Sequence, residues 1–306
     1  MDKEKKGTLF AVISASTFGT EAIIVKLLYA CGVNTITLLI FRYIFAVLFI
    51  WFFVVIKKIN VLQSRQLLKK LLFLGLFLVP LPTTFLMYSF NYIAAPVGII
   101  CLYFYPVFVT IWSALIFKEK ITAKKAISLL LALCGLVLVI GIPAGTLNAL
   151  GIFFALLAAL TNSVVVIINS RIVRNIDPIL ANAYYMTASV ITFTLAGLFM
   201  GQLDVGLGAV EVLYLLVLAL LSTVIPHFTF LLALKYTDAS RVSITSMLEP
   251  VVTAILAAFI LQEILTGLQV VGGMLVLAGI WLLQKKKITH KDDCYKADNS
   301  IKPASE

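Results

Sequence analysis

The sequence predicts an all-α integral membrane protein in which ten transmembrane helices form two inverted five-helix repeats, and three observations lead there. Of 306 residues, 62% are hydrophobic and only 12% charged, where a soluble domain carries roughly a quarter charged. A soluble enzyme is excluded by that balance. The apolar residues fall into runs long enough to span a bilayer, which takes about 20 residues each. The chain also matches itself at one offset of 144 residues without a gap.

The runs are bounded by charged or turn-like breaks. Span 1, residues 8–29, follows the basic segment Lys3-Glu4-Lys5-Lys6. It is longer than a signal h-region and no small-residue cleavage site ends it, so it is expected to stay in the mature chain. Span 2, residues 35–56, ends at Lys57-Lys58, and span 3, residues 71–91, begins after Lys69-Lys70. Span 4, residues 96–117, ends at Lys118-Glu119-Lys120, and span 5, residues 126–142, follows Lys124-Lys125. The second copy repeats the plan with spans at 149–169, 178–200, 212–234, 242–261 and 267–284. Expected domains are therefore an N-terminal segment 1–7, a first repeat 8–142, a second repeat 149–284, and a polar tail 285–306 too poor in apolar residues to fold.

Charge placement orients the bundle. Of 24 Lys and Arg, 22 fall in the tails and in the connections after even-numbered spans, and the five alternate connections hold none. Both termini are thus expected on the cytoplasmic side, in a plasma membrane of bacterial origin. The net charge of +10 records this topology and calls for no nucleic acid partner. Four cysteines (Cys31, Cys101, Cys134, Cys294) stand singly, in no metal-ligand spacing, so no metal, cofactor or disulfide framework is expected.

At the 144-residue offset, Gly7 meets Gly151, Pro82 meets Pro226, Tyr92 meets Tyr236, Pro106 meets Pro250, Glu119 meets Glu263, Thr122 meets Thr266 and Gly135 meets Gly279. Five spans per copy is an odd number, so the copies enter the membrane with opposite orientation. Such a pair has a pseudo-two-fold axis in the membrane plane, and a form open to one side has a near-equivalent form open to the other. That suits alternating access. No HExxH, GxSxG or Walker-type loop supplies a protease, hydrolase or ATP-driven alternative. The other class that stays open is a non-transporting membrane protein, a lipid-contacting or assembly partner.

Several motifs carry a family resemblance. Phe18-Gly19 with Lys26 in span 1, Phe41-Arg42-Tyr43 in span 2, and Tyr105-Pro106-Val107-Phe108-Val109 leading to Phe117-Lys118-Glu119-Lys120-Ile121-Thr122 resemble the drug/metabolite transporter superfamily, EamA-type. Glu249-Pro250-Val251-Val252 through Leu261-Gln262-Glu263-Ile264-Leu265-Thr266 repeats the pattern. The resemblance spans roughly residues 7 to 284. It implies a ten-helix secondary carrier, often an exporter of amino acids or related small metabolites.

Polar residues that break the repeat are the candidates for a specific site. Glu21 faces Val165, Lys26 faces Ser170, Arg42 faces Met186, His227 faces Thr83 and Glu249 faces Tyr105. A charge at the membrane centre costs about 2.5–3.5 kcal/mol on insertion scales. Glu21 and Glu249 fit either a neutral acid satisfied by a neighbouring helix or a cation or proton site, with Glu249 expected to couple transport to protons. Glu21 and Lys26 lie five apart and share no face, so Arg42 on the next helix is the expected partner of Glu21. Lys26 is read as a gate or a snorkelling residue. His227 is read as a core residue or a ligand beside Pro226. Asn162, Asn169, Tyr88, Tyr103 and Tyr105 suit a cavity that stacks and hydrogen-bonds a small solute. Pro82, Pro106, Pro226 and Pro250 are expected hinges. Glu119 and Glu263 are read as interfacial caps, and Gly272-Gly273 as a packing surface, in a monomer or homodimer.

Overall fold

A computed structural model describes residues 3–61, 64–141, 148–200 and 206–284. The expected tail 285–306, with Cys294, lies outside the described residues, as do parts of the 143–148 and 201–211 connections. The described residues are helical and contain no strand. Nine rods among them are long and apolar enough to cross a membrane. The helix Pro178–Met200, 23 residues long, occupies the remaining position, that of span 7.

Five rods are continuous: α3 (Thr35–Ile56), α8 (Ala123–Ile140), α9 (Ala149–Ile172), α10 (Pro178–Met200) and α15 (Gly267–Gln284). The others are broken where the sequence predicts single spans. Span 1 divides into α1 (Lys3–Phe18) and α2 (Glu21–Ala30). Span 4 divides into α6 (Ala95–Leu102) and α7 (Tyr105–Phe117), and span 9 into α13 (Ala239–Ser246) and α14 (Glu249–Ile260). Pro106 and Pro250 stand at the start of α7 and α14, where a missing N–H costs the helix nothing. Spans 3 and 8 instead widen into π turns, Leu74–Leu78 and Leu220–Val224, between α4 (Arg65–Phe73) and α5 (Pro80–Ser89) and between α11 (Ala209–Ala219) and α12 (Ile225–Tyr236). Proline explains both widenings, since its ring displaces the carbonyl one turn earlier.

The inverted repeat is visible in matched contacts. A Cβ on Gly7 would lie 2.7 Å from Thr237, and one on Gly151 would lie 2.6 Å from Ile93. Adding 144 to Gly7 and subtracting it from Thr237 turns the first pair into the second. Gly135 against Gly272 (2.5 Å to the carbonyl oxygen) and Gly279 against Ser128 (2.7 Å) are exchanged in the same way. The turns after spans 4 and 9 pass through Lys118 and Gln262 at φ 54 and 56, again 144 apart. Each exchange requires the two copies to be related by a two-fold rotation.

Gly272 therefore packs inside the chain, against α8, because only the absence of a side chain lets the two backbones approach this closely. It is a packing surface, as the sequence predicts, and its partner is α8 of the same chain. Gly273 meets only Val251, at 3.4 Å.

Candidate functional site

The break in span 1 sets the site in place. Thr17 and Thr20 turn their hydroxyls back onto the carbonyls of Ile13 and Thr17, a back-bonding habit that bends helices. Gly19 allows close approach, for a Cβ there would meet the Glu249 carbonyl oxygen at 3.0 Å. The chain restarts as α2 with Glu21 as its first residue. α14 likewise starts at Glu249 and α7 at Tyr105.

Arg42, 6% exposed on α3, meets Glu21 in a bidentate pair, Nη1 to Oε1 at 2.6 Å and Nη2 to Oε2 at 2.8 Å. Its Nε donates to Thr223 Oγ1 at 2.6 Å, and Nη2 donates again to the Ser222 carbonyl at 3.1 Å. Ser222 precedes Pro226 by four residues, so the proline removes the N–H that an α-helix would offer its carbonyl. Arg42 supplies the missing donor. Thr20 and Ser222 hydroxyls lie 2.7 Å apart, tying the start of α2 to the same π turn. His227 Nδ1 lies 2.8 Å from the Thr223 carbonyl. A carbonyl only accepts, so Nδ1 carries the hydrogen, and in the neutral ring Nε2 is left as an acceptor. The Phe18 ring meets the imidazole edge-on at 5.0 Å.

These groups border a cavity of about 530 Å³, within the size range of small-molecule sites. Glu21, Arg42, Tyr103, Tyr105, Asn162, Asn169, His227 and Glu249 all line it, as does Pro82. Tyr103, Tyr105, Ser246 and Glu249 meet in its lining. Tyr88 is not among the lining residues: it is 48% exposed and packs its ring on Phe154 and Tyr92, so its placement in the cavity is corrected. Lys26 pairs at 2.5 Å with Glu263, both half-exposed, which makes it a clasp between α2 and the turn before α15.

The lining runs from Leu39 and Met87, near one end of their helices, to Asn169 and Asn182, three and four residues from the opposite, basic ends of α9 and α10. Further contacts lie at the basic end. Lys125 Nζ binds Glu119 at 3.0 Å and Ser240 at 3.0 Å, Arg241 pairs with Glu4, and Phe10 stacks on Tyr236. Arg171 and Arg174 lie over the Phe117 ring at 5.2 and 5.7 Å. Glu119 and Glu263, equivalent in the repeat, thus join different partners at opposite ends.

Sequence reasoning missed Thr20, Ser222, Thr223, Asn182, Tyr185 and Thr253. Ser222 had a usable signal, its position four residues before Pro226. Thr253, whose hydroxyl donates to the Gly19 carbonyl at 2.9 Å, had none. No group of three or more potential metal ligands occurs among the described residues.

An all-helical membrane bundle of two inverted repeats around a largely apolar cavity that holds a few charged and amide side chains is the architecture of a transport protein class. The chain belongs to the EamA-like transporter family, whose profile matches it twice, over residues 5–141 and 149–284. It is similar to the uncharacterized transporter YcbK of Bacillus subtilis (strain 168), 27% identical over 279 residues that cover 87% of this chain and 88% of the relative. An uncharacterized transporter of Clostridium kluyveri is 24% identical over 287 residues, covering 90% and 92%. One solved crystal structure superposes with a TM-score of 0.81 over 92% of this chain and 96% of that one, at 16% identity, a likeness of fold.

Proposed function

We propose that this chain is a secondary carrier that exports small polar or amphipathic metabolites by alternating access, with amino acids and related amines the first solutes to compare. The observation that carries the reading is the mismatch between symmetric scaffold and asymmetric cavity. Contacts such as Gly135–Gly272 and Gly279–Ser128 are interchangeable by the repeat, yet Glu21, Arg42, His227 and Glu249, which line the cavity, have no counterparts in the opposite copy. Exchanging the conformations of the two halves gives the second form that alternating access needs. The charge distribution supports cytoplasmic termini in a plasma membrane. One chain encloses the cavity, and a monomer is sufficient for the cycle.

Glu249 is the proposed coupling acid. It shares the cavity with Glu21 and Arg42 but is the carboxyl that Arg42 does not bind. Helix α14 starts at this residue, so unpaired backbone groups of the broken span and cavity water are within reach of it. Mass spectrometry of small molecules released by cells with and without the protein tests export. Equal release across amino acids, amines, nucleobases and sugars removes this reading.

A further inference from the structure

Two carboxamides in the cavity wall have no partner among the described residues, and the repeat shows that the fold does not need them. Asn162 and Asn169 both line the cavity from α9. Seven residues apart, they share one face of the helix, about 10 Å from each other along its axis. Neither side chain hydrogen-bonds another described residue. Neither is sealed off either, because the unpartnered side-chain atoms shut away from open space are those of Ser113, Ser128, Tyr185 and Arg241. Asn169 is only 8% exposed, and that remaining surface opens on the cavity. An unbonded carboxamide in a membrane interior is costly, and a neighbouring helix is the usual source of its hydrogen bonds. Here no helix supplies them.

The opposite copy carries different side chains at the same places. At the 144-residue offset Asn162 stands against Phe18 and Asn169 against Val25, and all four line the cavity. The scaffold is thus served by an aromatic and an aliphatic side chain where α9 presents amides. Asn182, the third amide of the lining, differs in that its Nδ2 donates to the Val224 carbonyl at 3.5 Å. The Arg42 guanidinium is engaged by Glu21 in a bidentate pair. What α9 offers a solute is uncharged, an NH2 donor beside a carbonyl acceptor at each of two points.

We infer that the cavity takes an uncharged planar solute whose edges carry adjoining hydrogen-bond donors and acceptors, a nucleobase or a similar lactam, held between the carboxamides of Asn162 and Asn169. This rests on the cavity being the transport site, and narrows its solutes from small polar metabolites to that class. A carboxamide pairs with such an edge through two hydrogen bonds at once, as Asn does with adenine. With a hydrogen bond of about 2.9 Å at each end, the spacing along α9 leaves about 5 Å, room for one planar ring with its exocyclic groups. Phe18, the repeat counterpart of Asn162, lines the same cavity with a ring face on which a base can stack.

Binding is measured by calorimetry on the full chain in lipid nanodiscs, which separates it from transport. Uracil, hypoxanthine and adenine are each compared with the fully N-methylated form, which keeps the ring and caps every N–H donor, and tyramine and benzoate supply a cation and an anion. At least one base is expected to bind at least about tenfold more tightly than its methylated form and than either ion. Asn162→Leu and Asn169→Leu remove one amide each at near-constant volume, and each is expected to weaken that base about three- to thirtyfold. The ligand-free variants should melt at the parent temperature or higher, since neither amide bonds the scaffold. A lower melting temperature in both, equal binding of a base and its methylated form, affinity unchanged in both variants, or no binding of any base overturns the inference. Metabolite release by cells in the absence of base binding leaves the carrier reading standing without this site, whereas base binding without solute flux keeps the site and removes the carrier reading.

Discussion

The Glu21–Arg42 pair is expected to be a strongly coupled clamp, and the coupling can be worked from its contacts. Arg42→Gln removes a buried cation, leaves Glu21 a carboxylate with one third of its side chain exposed to the cavity, and orphans the Ser222 carbonyl. Removing one partner of a buried pair costs about 3–5 kcal/mol. The exposure of Glu21 and the modest strength of hydrogen bonds between membrane helices pull that toward the lower bound. Glu21→Gln leaves Arg42 still bonded to Thr223 and the Ser222 carbonyl, and should cost less, about 2 kcal/mol. Once either charge is gone the other has less to lose, so the double variant is expected to cost less than the sum of the singles by about 1–2 kcal/mol. Denaturant titration of all four proteins in one detergent gives the cycle. Additive losses, within about 0.5 kcal/mol, would refute the claim that Arg42 is held mainly by Glu21.

Adjacent glycines of α15 provide a test of packing. Gly272→Ala puts a methyl 2.6 Å from the Gly135 carbonyl and is expected to cost about 1–3 kcal/mol in a thermal or denaturant assay, while Gly273→Ala, 3.4 Å from Val251, should be near neutral. Glu249→Gln is expected to abolish accumulation driven by a pH gradient and to spare exchange at equal pH, measured in proteoliposomes; if Glu21→Gln alone has that effect, the coupling acid lies in span 1. A reporter fused after Lys287 should read cytoplasmic and one near Gly206 external, and the reverse at either site breaks the topology.

Span number and repeat offset were legible because they rest on types that are scarce in this chain, prolines and charges above all. The helix breaks were only partly so. Pro106 and Pro250 mark the restarts at Tyr105 and Glu249, but the sequence cannot show that the preceding turn is lost rather than bent. The break before Glu21 carries no proline. It arises from Gly19, from two threonines bonded to their own backbone, and from the Thr253 hydroxyl on the Gly19 carbonyl, the last supplied by a residue 234 positions away. Tyr88 shows the opposite failure. Its residue type suited a cavity, but the rotation of α5 about its axis decides what it faces, and Phe154 settles that.

The repeat also explains why charge collects where it does. Both π turns expose carbonyls that a proline has freed, and in both the neighbouring rod supplies donors. In the first copy Ser189 and Thr192 of α10 donate to the Gly75 and Leu76 carbonyls at 3.2 and 2.9 Å. In the second copy the donor to the Ser222 carbonyl is Arg42 of α3. A hydroxyl settles such a carbonyl without further demands, whereas a guanidinium brings a charge that needs an acid. Glu21 meets that need, but only because span 1 breaks to place it at the start of α2, while its counterpart α9 runs unbroken through Val165. One unmatched arginine thus accounts for an unmatched acid and coincides with an unmatched helix break, all in contact with the cavity. A chain rebuilt with Met at 42 and Val at 21, the residues of the opposite copy, should still fold as the symmetric scaffold. It should lose only the tie between α2, α3 and the second π turn, seen as faster hydrogen exchange of Leu220–Val224 with the Gly135–Gly272 contact intact.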